Sequence, residues 1–218
     1  MRRQSLLLCF LLLACSGRLA AQIRYGIKAG LQVTPVSVKS SYKPTSLQPG
    51  IGFLAGVLGE YEPSKNVVLS AGLQLSTLSH TIEYSDPIDY YRETYRYNLY
   101  YAHVPLVVRL QQRGLSAGAG LFAGWAFAGT KKTTLDFRQV LQERSEKIKF
   151  GQDENHDLHR LDWGPLAELG YSFRNFRLSG HYWLGLSNIL PKYYRDLGNS
   201  RRLQAFGAAL TYYLGEGE

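Results

Sequence analysis

The feature that most constrains the fold of this chain is a two-residue alternation that recurs in about eight segments between Ile23 and Leu214. In the segment 115–128, one parity is apolar and the other is rich in glycine and serine. The apolar parity contains Leu115, Ala117, Ala119, Leu121, Ala123, Trp125 and Phe127, and the other contains Ser116, Gly118, Gly120, Phe122, Gly124, Ala126 and Ala128. Such alternation is typical of a β-strand whose two faces meet different surroundings. Because the second face is small rather than charged, we expect it to face the narrow interior of a closed barrel, with the apolar face toward lipid.

The lengths of the connections favour the same fold. We predict eight strands, at 23–33, 50–61, 67–79, 97–110, 115–128, 161–173, 176–188 and 202–214. The connections after the second, fourth and sixth are short, whereas 34–49, 80–96, 129–160 and 189–201 are long. Short turns at one end and long loops at the other are typical of outer-membrane barrels. The sequence therefore predicts an all-β, eight-stranded antiparallel up-and-down transmembrane barrel, with a periplasmic N-terminus and extracellular long loops. A lipocalin-like soluble barrel is not favoured, because its outer face would be polar.

The first 21 residues have the pattern of an export signal. Arg2 and Arg3 precede the apolar stretch 6–14, and small residues at 19–21 offer a cleavage site before Gln22. We therefore predict a signal peptide at 1–21 and one barrel domain at 22–218. The alternative is a lipoprotein signal, in which Cys15 is lipidated. The apolar stretch is too short for a transmembrane helix.

Composition limits the partners and cofactors. The formal net charge is +8, but the bases are scattered, without a basic stripe or a nucleic-acid-binding motif, so we expect no nucleic-acid partner and instead contact with outer-membrane lipid. The segment 153–159 contains acids and histidines, yet its spacing matches no established metal loop. We expect no cofactor and no metal. The charged connection 129–160 is either a binding loop or a mobile or sheet-extended hairpin.

A set of ionisable residues has the inward parity. By alternation, they face a lumen that side chains fill in an eight-stranded barrel. They are Lys28, Glu60, His103, Arg109, Glu168, Arg177 and His181. Buried charges must be paired, so we interpret them as a structural network and expect Glu168 to pair with Lys28 or a lumen histidine. The alternative is an ion or proton path.

Aromatic residues gather near the predicted strand ends. The predicted interfacial girdles contain Tyr84, Tyr90, Tyr91, Tyr95, Tyr97, Tyr100, Tyr101, Trp125, Phe127, Tyr212 and Tyr213. Inside the fourth predicted strand, Pro105 removes a backbone donor, and we expect a bulge or bend there.

Catalysis is not favoured. The segment 186–189 faintly resembles the serine segment of lipid A deacylases, but Gly185 stands where that family needs a histidine. His181 and Ser187 are six residues apart on one predicted strand, roughly 20 Å, too far for a hydrogen bond. We expect no enzyme.

Several short segments resemble one family. They are 25–31 (YGIKAGL), 101–109 (YAHVPLVVR), 118–120 (GAG) and 182–189 (YWLGLSNI). The chain resembles the PorT-like outer-membrane β-barrel family, related in architecture to small OmpA/OmpX-type barrels. This resemblance implies a non-enzymatic scaffold or accessory component that contacts envelope or secretion proteins through loops and turns. His103 departs from the acid that many relatives carry there. A narrow channel for ions or small solutes is the alternative function.

Overall fold

The computed structural model describes residues 23–40, 44–86, 91–137 and 140–214. The predicted signal peptide, including Cys15, lies outside this range. The strands are β1 (Ile23–Thr34), β2 (Val36–Lys39), β3 (Ser46–Ser64), β4 (Val67–Asp86), β5 (Tyr91–Gln112), β6 (Leu115–Phe137), β7 (Val140–Lys147), β8 (Leu161–Phe173), β9 (Phe176–Leu184) and β10 (Ser200–Leu214), with one short helix, α1 (Lys192–Asp196), before β10.

Eight of these strands close into a barrel. The antiparallel order is β1-β3-β4-β5-β6-β8-β9-β10, and β10 pairs back onto β1. The predicted eight-stranded antiparallel barrel is therefore confirmed. The other two strands are additions at one end, β2 on β10 and β7 on β6. None of the helices among the described residues is long and apolar enough to cross a membrane.

The two parities of each strand have the expected surroundings. In β6, the outward Leu115 and Leu121 are exposed, whereas the inward Ser116 and Phe122 are buried. The predicted inward parity fails near the C-terminal end of β6, because a bulge in β6 lies opposite Tyr100 and Tyr101 of β5. The additional residue reverses the parity, so Ala128, predicted to face inward, is exposed.

The two ends of the barrel differ. At the end that we call the turn end, tight turns join β3 to β4, β5 to β6 and β8 to β9, and the turn Arg113–Gly114 has positive φ at both residues. All the long connections lie at the opposite end, the loop end. The predicted alternation of short and long connections is confirmed. The chain enters β1 at the turn end, where Ile23 pairs with Tyr61.

The predicted loop boundaries are wrong at the loop end. Most of the predicted connection 80–96 is strand, because β4 continues to Asp86 and β5 begins at Tyr91. The connection 129–160 contains the end of β6 and all of β7, and β9 ends at Leu184 rather than 188. The strands stay hydrogen-bonded to one another beyond the band where their outer residues are apolar. The end of the apolar pattern in the sequence therefore does not mark the end of a strand.

Two local predictions are corrected as well. The registers of β5 with β4 and with β6 do not shift at Pro105, so the structure has no bulge there. The pairing of β5 with β4 is interrupted at Val104 and Pro105, and the alternative, a bend, stays a prediction. Tyr97, Tyr101 and Tyr213 are buried inside the barrel rather than placed in an interfacial girdle. Trp125 and Phe127 are about half exposed, as a girdle requires.

Candidate functional site

The structure places all seven predicted lumen residues inside the barrel. Each of Lys28, Glu60, His103, Arg109, Glu168, Arg177 and His181 is at most 6% exposed. Lys28, Glu60, Arg109, Glu168 and Arg177, together with Arg24 and Tyr213, form a group near the turn end that we call the charged cluster. His181 lies beside it, and His103 lies farther toward the loop end along β5.

Glu60 is the centre of one half of the charged cluster. Its carboxylate is 2.6 Å from Arg109 Nη2 and 3.1 Å from Arg24 Nη2. Tyr213 Oη donates a hydrogen bond to Glu60 Oε1 at 2.8 Å. The Arg24 guanidinium also lies 4.0 Å above the Tyr213 ring. A single buried carboxylate thus pairs with two arginines and accepts a hydrogen bond from a tyrosine, since charges removed from water need partners.

Glu168 is the centre of the other half. Lys28 Nζ lies 3.1 Å and Arg177 Nη1 2.9 Å from Glu168 Oε1. Arg177 Nε also donates to Ser116 Oγ at 3.3 Å. Lys28 is one of the two partners expected for Glu168, whereas neither ring nitrogen of His181 has a hydrogen-bond partner among the described residues.

The charged cluster leaves almost no free volume. Its cations, Arg24, Lys28, Arg109 and Arg177, outnumber the two carboxylates. Beside Arg109 and the half around Glu168 lies a cavity of about 20 Å³, bordered by side chains that include Lys28, Glu168 and His181. This volume admits about one water molecule and no solute.

Inward glycines make room for the large side chains. A Cβ atom on Gly118 would collide with Arg109 Cγ, and one on Gly170 would lie 2.9 Å from Arg177 Nε. The small inward residues of β6, which the sequence pattern shows, therefore provide the space that the charged cluster occupies.

An aromatic layer lies beside the charged cluster on the side of the loop end. It consists of Tyr101, His103, Phe122 and Trp183. The ring of His103 is 4.6 Å from Trp183 and 5.2 Å from Tyr101, and Phe122 is 5.1 Å from Trp183. On strands β5, β6 and β9, these residues lie nearer the loop end than Arg109, Ser116 and Arg177. Aliphatic side chains continue the filling beyond the layer, among them Leu99, Ile189 and Leu203.

A cavity of about 570 Å³ opens at the loop end, and we call it the cup. It is lined by the ends of β4, β5 and β6, by the end of β2 with Ser40, by the loop before β8, and by the loop before β10 with Arg201 of β10. Among the described residues, its lining contains Val38, Lys39, Ser40, Tyr84, Tyr91, Glu93, Tyr95, Tyr97, Lys131, His156, Asp157, Leu190, Tyr194, Asn199 and Arg201. The five tyrosines are its most distinctive feature.

The tyrosines of the cup are held in place by contacts with one another. The ring of Tyr95 meets Tyr84 edge-on at 6.1 Å and stacks on Tyr97 at 6.4 Å. The Arg201 guanidinium covers Tyr97 at 4.7 Å. Burial, followed by a hydrogen bond and the charge of Glu93, raises the pKa of Tyr95, so its hydroxyl remains a donor at neutral pH.

Polar contacts fix the rest of the cup. Tyr91 Oη donates to Glu93 Oε2 at 2.7 Å, and Lys131 Nζ lies 2.7 Å from Asp157 Oδ1. Burial lowers the pKa of Lys131, but the hydrogen bond and charge of Asp157 outweigh it, so the pKa is raised overall. The two neighbouring loops are joined where His159 N donates to Ile189 O at 2.6 Å.

Sequence reasoning missed the cup, although a signal for it exists. Tyr91, Glu93, Tyr95 and Tyr97 alternate at the same parity as the buried Tyr101, so the inward face of β5 continues through the segment that was predicted to be a loop. Tyr213 was missed in the lumen for a similar reason, since it has the parity opposite to the outward Tyr212.

The structure brings together two pairs that resemble parts of a catalytic site. Ser76 Oγ lies 3.0 Å from His103 Nδ1, but both residues are buried inside the barrel, and His103 is surrounded by aromatic rings. Ser187 hydrogen-bonds to Asp162. Across the described residues, no group of three or more histidines, cysteines and acids has a geometry that could hold a metal ion.

Comparison with known proteins identifies the family. The model of the outer membrane protein beta-barrel domain matches residues 16–190, so the chain belongs to this family, and its location is integral to the outer membrane. The narrower PorT-like assignment stays a prediction. No curated protein matches the chain.

Similar solved structures have low sequence identity. The attachment invasion locus protein Ail of Yersinia pestis is 16% identical, with 88% of this chain and 98% of that chain covered and a TM-score of 0.42. Neisserial surface protein A is 12% identical, with 86% and 96% covered and a TM-score of 0.47. The Escherichia coli outer membrane protease OmpT is 13% identical, with 88% and 95% covered and a TM-score of 0.43. Similarity at this level says nothing about the activity of this chain.

Proposed function

We propose that this protein is a non-enzymatic, non-conducting scaffold or accessory component of the outer membrane that binds its partners through the loop end. In this proposal the signal peptide is removed, the N-terminus is periplasmic, and the loop end faces the cell exterior. Its partners are outer-membrane lipid around the barrel and, as the PorT-like resemblance implies, envelope or secretion proteins.

The observation that carries the proposal is the contrast between a filled lumen and a built-up loop end. The charged cluster and the aromatic layer fill the interior with buried side chains, and the cavity beside Glu168 has a volume of only about 20 Å³. Beyond them, the paired strands β4, β5, β6 and β7 form a wall that carries the cup. A barrel whose paired strands extend beyond the filled lumen presents a rigid surface for recognition.

The hairpin of β6 and β7 is a separate candidate contact surface. β7 pairs with β6 through the register Thr130 with Lys147 to Phe137 with Val140, and its residues are almost all exposed. Its charged side chains suit a solvated edge that recognises a partner without aggregating.

Co-purification tests the proposal. The tagged full-length protein is extracted from its native outer membrane in mild detergent, and bound proteins are identified by mass spectrometry. We compare the wild type with a variant in which residues 132–145 are replaced by a short glycine–serine turn, which retains Lys131 of the cup. The control variant is Arg174→Gly, in a turn at the opposite end, where φ is 52° and glycine is tolerated.

We expect envelope proteins in stoichiometric amounts with the wild type and with Arg174→Gly, and their loss from the hairpin variant. Recovery of the wild type as a lone barrel, or loss of partners from Arg174→Gly alone, would contradict binding through the loop end. The lipid-modifying alternative predicts altered lipid A on expression, and the proposal predicts unchanged lipid A.

A further inference from the structure

We propose that the cup is a binding site for a short oligosaccharide, recognised by the tyrosines at its wall. This inference rests on the proposed function, because it names the ligand class of the same loop end. Its volume of about 570 Å³ lies within the range of pockets that enclose a ligand the size of a di- or trisaccharide.

The chemistry of the wall matches a sugar. A sugar ring has an apolar C–H face, which stacks on aromatic rings, and a rim of hydroxyls, which need both donors and acceptors. Tyr84, Tyr91 and Tyr95 line the cup and are half-buried, so part of each side chain is exposed to solvent. Tyrosine combines a rigid apolar ring with a polar tip and loses little conformational entropy on binding.

The cup contains both hydrogen-bond donors and hydrogen-bond acceptors. Lys39 and Lys131 supply donors, and the carboxylates of Glu93 and Asp157 supply acceptors. The charged side chains of the described lining are Lys39, Lys131 and Arg201 against Glu93 and Asp157, so its net charge is small. A small net charge favours a ligand without a large net charge over a polyanion or polycation. A lipid chain is disfavoured, since aliphatic side chains are few and the cavity opens at the loop end rather than on the apolar outer band.

The wall is built before any ligand arrives. The contacts of Tyr95 with Tyr84 and Tyr97, the ion pair of Lys131 with Asp157, and the hydrogen bond between the two loops fix the positions of the lining groups. A preformed site does not have to order its side chains on binding, and this ordering is a main cost of recognition.

An oligosaccharide array tests the inference. The labelled full-length protein in detergent is applied to a printed array of oligosaccharides of two to eight units, with one set from bacterial envelopes and one from host surfaces. The set that binds identifies the source of the sugar. Titration calorimetry then gives the affinity of the tightest-binding compound.

The helix α1 supplies a matched pair of variants. Tyr194 lines the cup, whereas its neighbour Tyr193 does not. We expect Tyr194→Ala and Tyr95→Ala to weaken binding roughly threefold to tenfold or more, as the loss of an aromatic contact implies, and Tyr193→Ala to leave it nearly unchanged. Far-ultraviolet circular dichroism checks that each variant retains the barrel. If Tyr95→Ala does not fold, the comparison of Tyr194→Ala with Tyr193→Ala alone tests the inference.

Two results would overturn the inference. One is failure of the wild type to bind any sugar on the array, and the other is equal binding by Tyr193→Ala and Tyr194→Ala. Neither result affects the proposed function, which is decided by co-purification. A lone barrel in that experiment, together with tyrosine-dependent sugar binding, would instead retain the sugar site and reject the protein scaffold.

Discussion

The charged cluster lies inside the barrel near the turn end and the cup lies at the loop end, and the two satisfy their polar groups differently. In the charged cluster, Glu60 and Glu168 pair with Lys28, Arg109 and Arg177, which have lost almost all contact with solvent. Glu60 also pairs with Arg24, which is partly exposed. In the cup, Glu93 and Tyr95 remain partly exposed, and the aromatic rings contact one another around an open space. The difference indicates that the first region maintains the barrel and the second is available for a ligand.

The largest effect should come from Glu60. The change Glu60→Gln leaves Arg109 buried without a full counter-charge, and breaking such a pair costs about 3–5 kcal/mol of unfolding free energy. Glu62 is the matched control, because it also pairs with Arg24, at 3.2 Å, but is 44% exposed. Glu62→Gln should cost less than about 1 kcal/mol. Urea unfolding in detergent micelles measures both, and equal costs would contradict the distinction between buried and exposed pairs.

Glu168 and Lys28 should be energetically coupled. Their atoms are 3.1 Å apart inside the barrel, so the double variant Lys28→Met with Glu168→Gln should be less destabilised than the two single changes added together. The coupling expected for contacting residues is about 1–3 kcal/mol. Urea unfolding of the wild type, the two single variants and the double variant completes this double-mutant cycle. Additive costs, or an unchanged stability of Glu168→Gln, would show that this pair does not stabilise the lumen.

Glycine in the lumen should be hard to replace. Gly118→Ala places a methyl group against Arg109, and we expect a loss of about 1–3 kcal/mol from overpacking. Gly180 is the control, since a Cβ there would have only one neighbour, Gly207 O at 3.8 Å. Gly180→Ala should be close to neutral in the same assay. If both changes were neutral, the space beside Arg109 would not be limiting.

The smallest loss of stability is expected from a change in the cup, at Lys131. Because the pKa of folded Lys131 is raised above its ordinary value, the contribution of its pair with Asp157 is fully present below about pH 10.5 and is lost as the pH rises through the folded pKa. We expect Lys131→Met to cost under about 1 kcal/mol at neutral pH, since the pair is partly exposed. The difference from wild type should disappear once the pH exceeds the folded pKa of Lys131. A difference that persists there would assign it to packing of the lysine stem.

The sequence predicts the barrel well because alternation reports directly on the two faces of a strand. The inward positions of Glu60, Arg109 and Glu168 follow from parity alone. Their partners do not, because the contact of Tyr213 with Glu60 depends on the register with which β10 closes onto β1.

The same reasoning reaches only one wall of the cup, the inward tyrosines of β5. Its strands extend past the lipid-facing band, where polar residues on both faces resemble a loop. Tyr95 and Lys131 come together only because β5 and β6 remain paired there, and Tyr194 arrives from a loop that is distant along the chain. The bulge opposite Tyr100 likewise has no composition signal that separates it from regular strand.

Planar-bilayer recording tests most directly whether the lumen is sealed. The purified full-length protein is inserted into a bilayer, and its current is compared with those of Lys28→Met and Glu168→Gln. The filled charged cluster and aromatic layer predict no reproducible conductance steps from the wild type. Reproducible steps whose size changes in either variant would contradict the sealed lumen and identify the protein as a narrow channel.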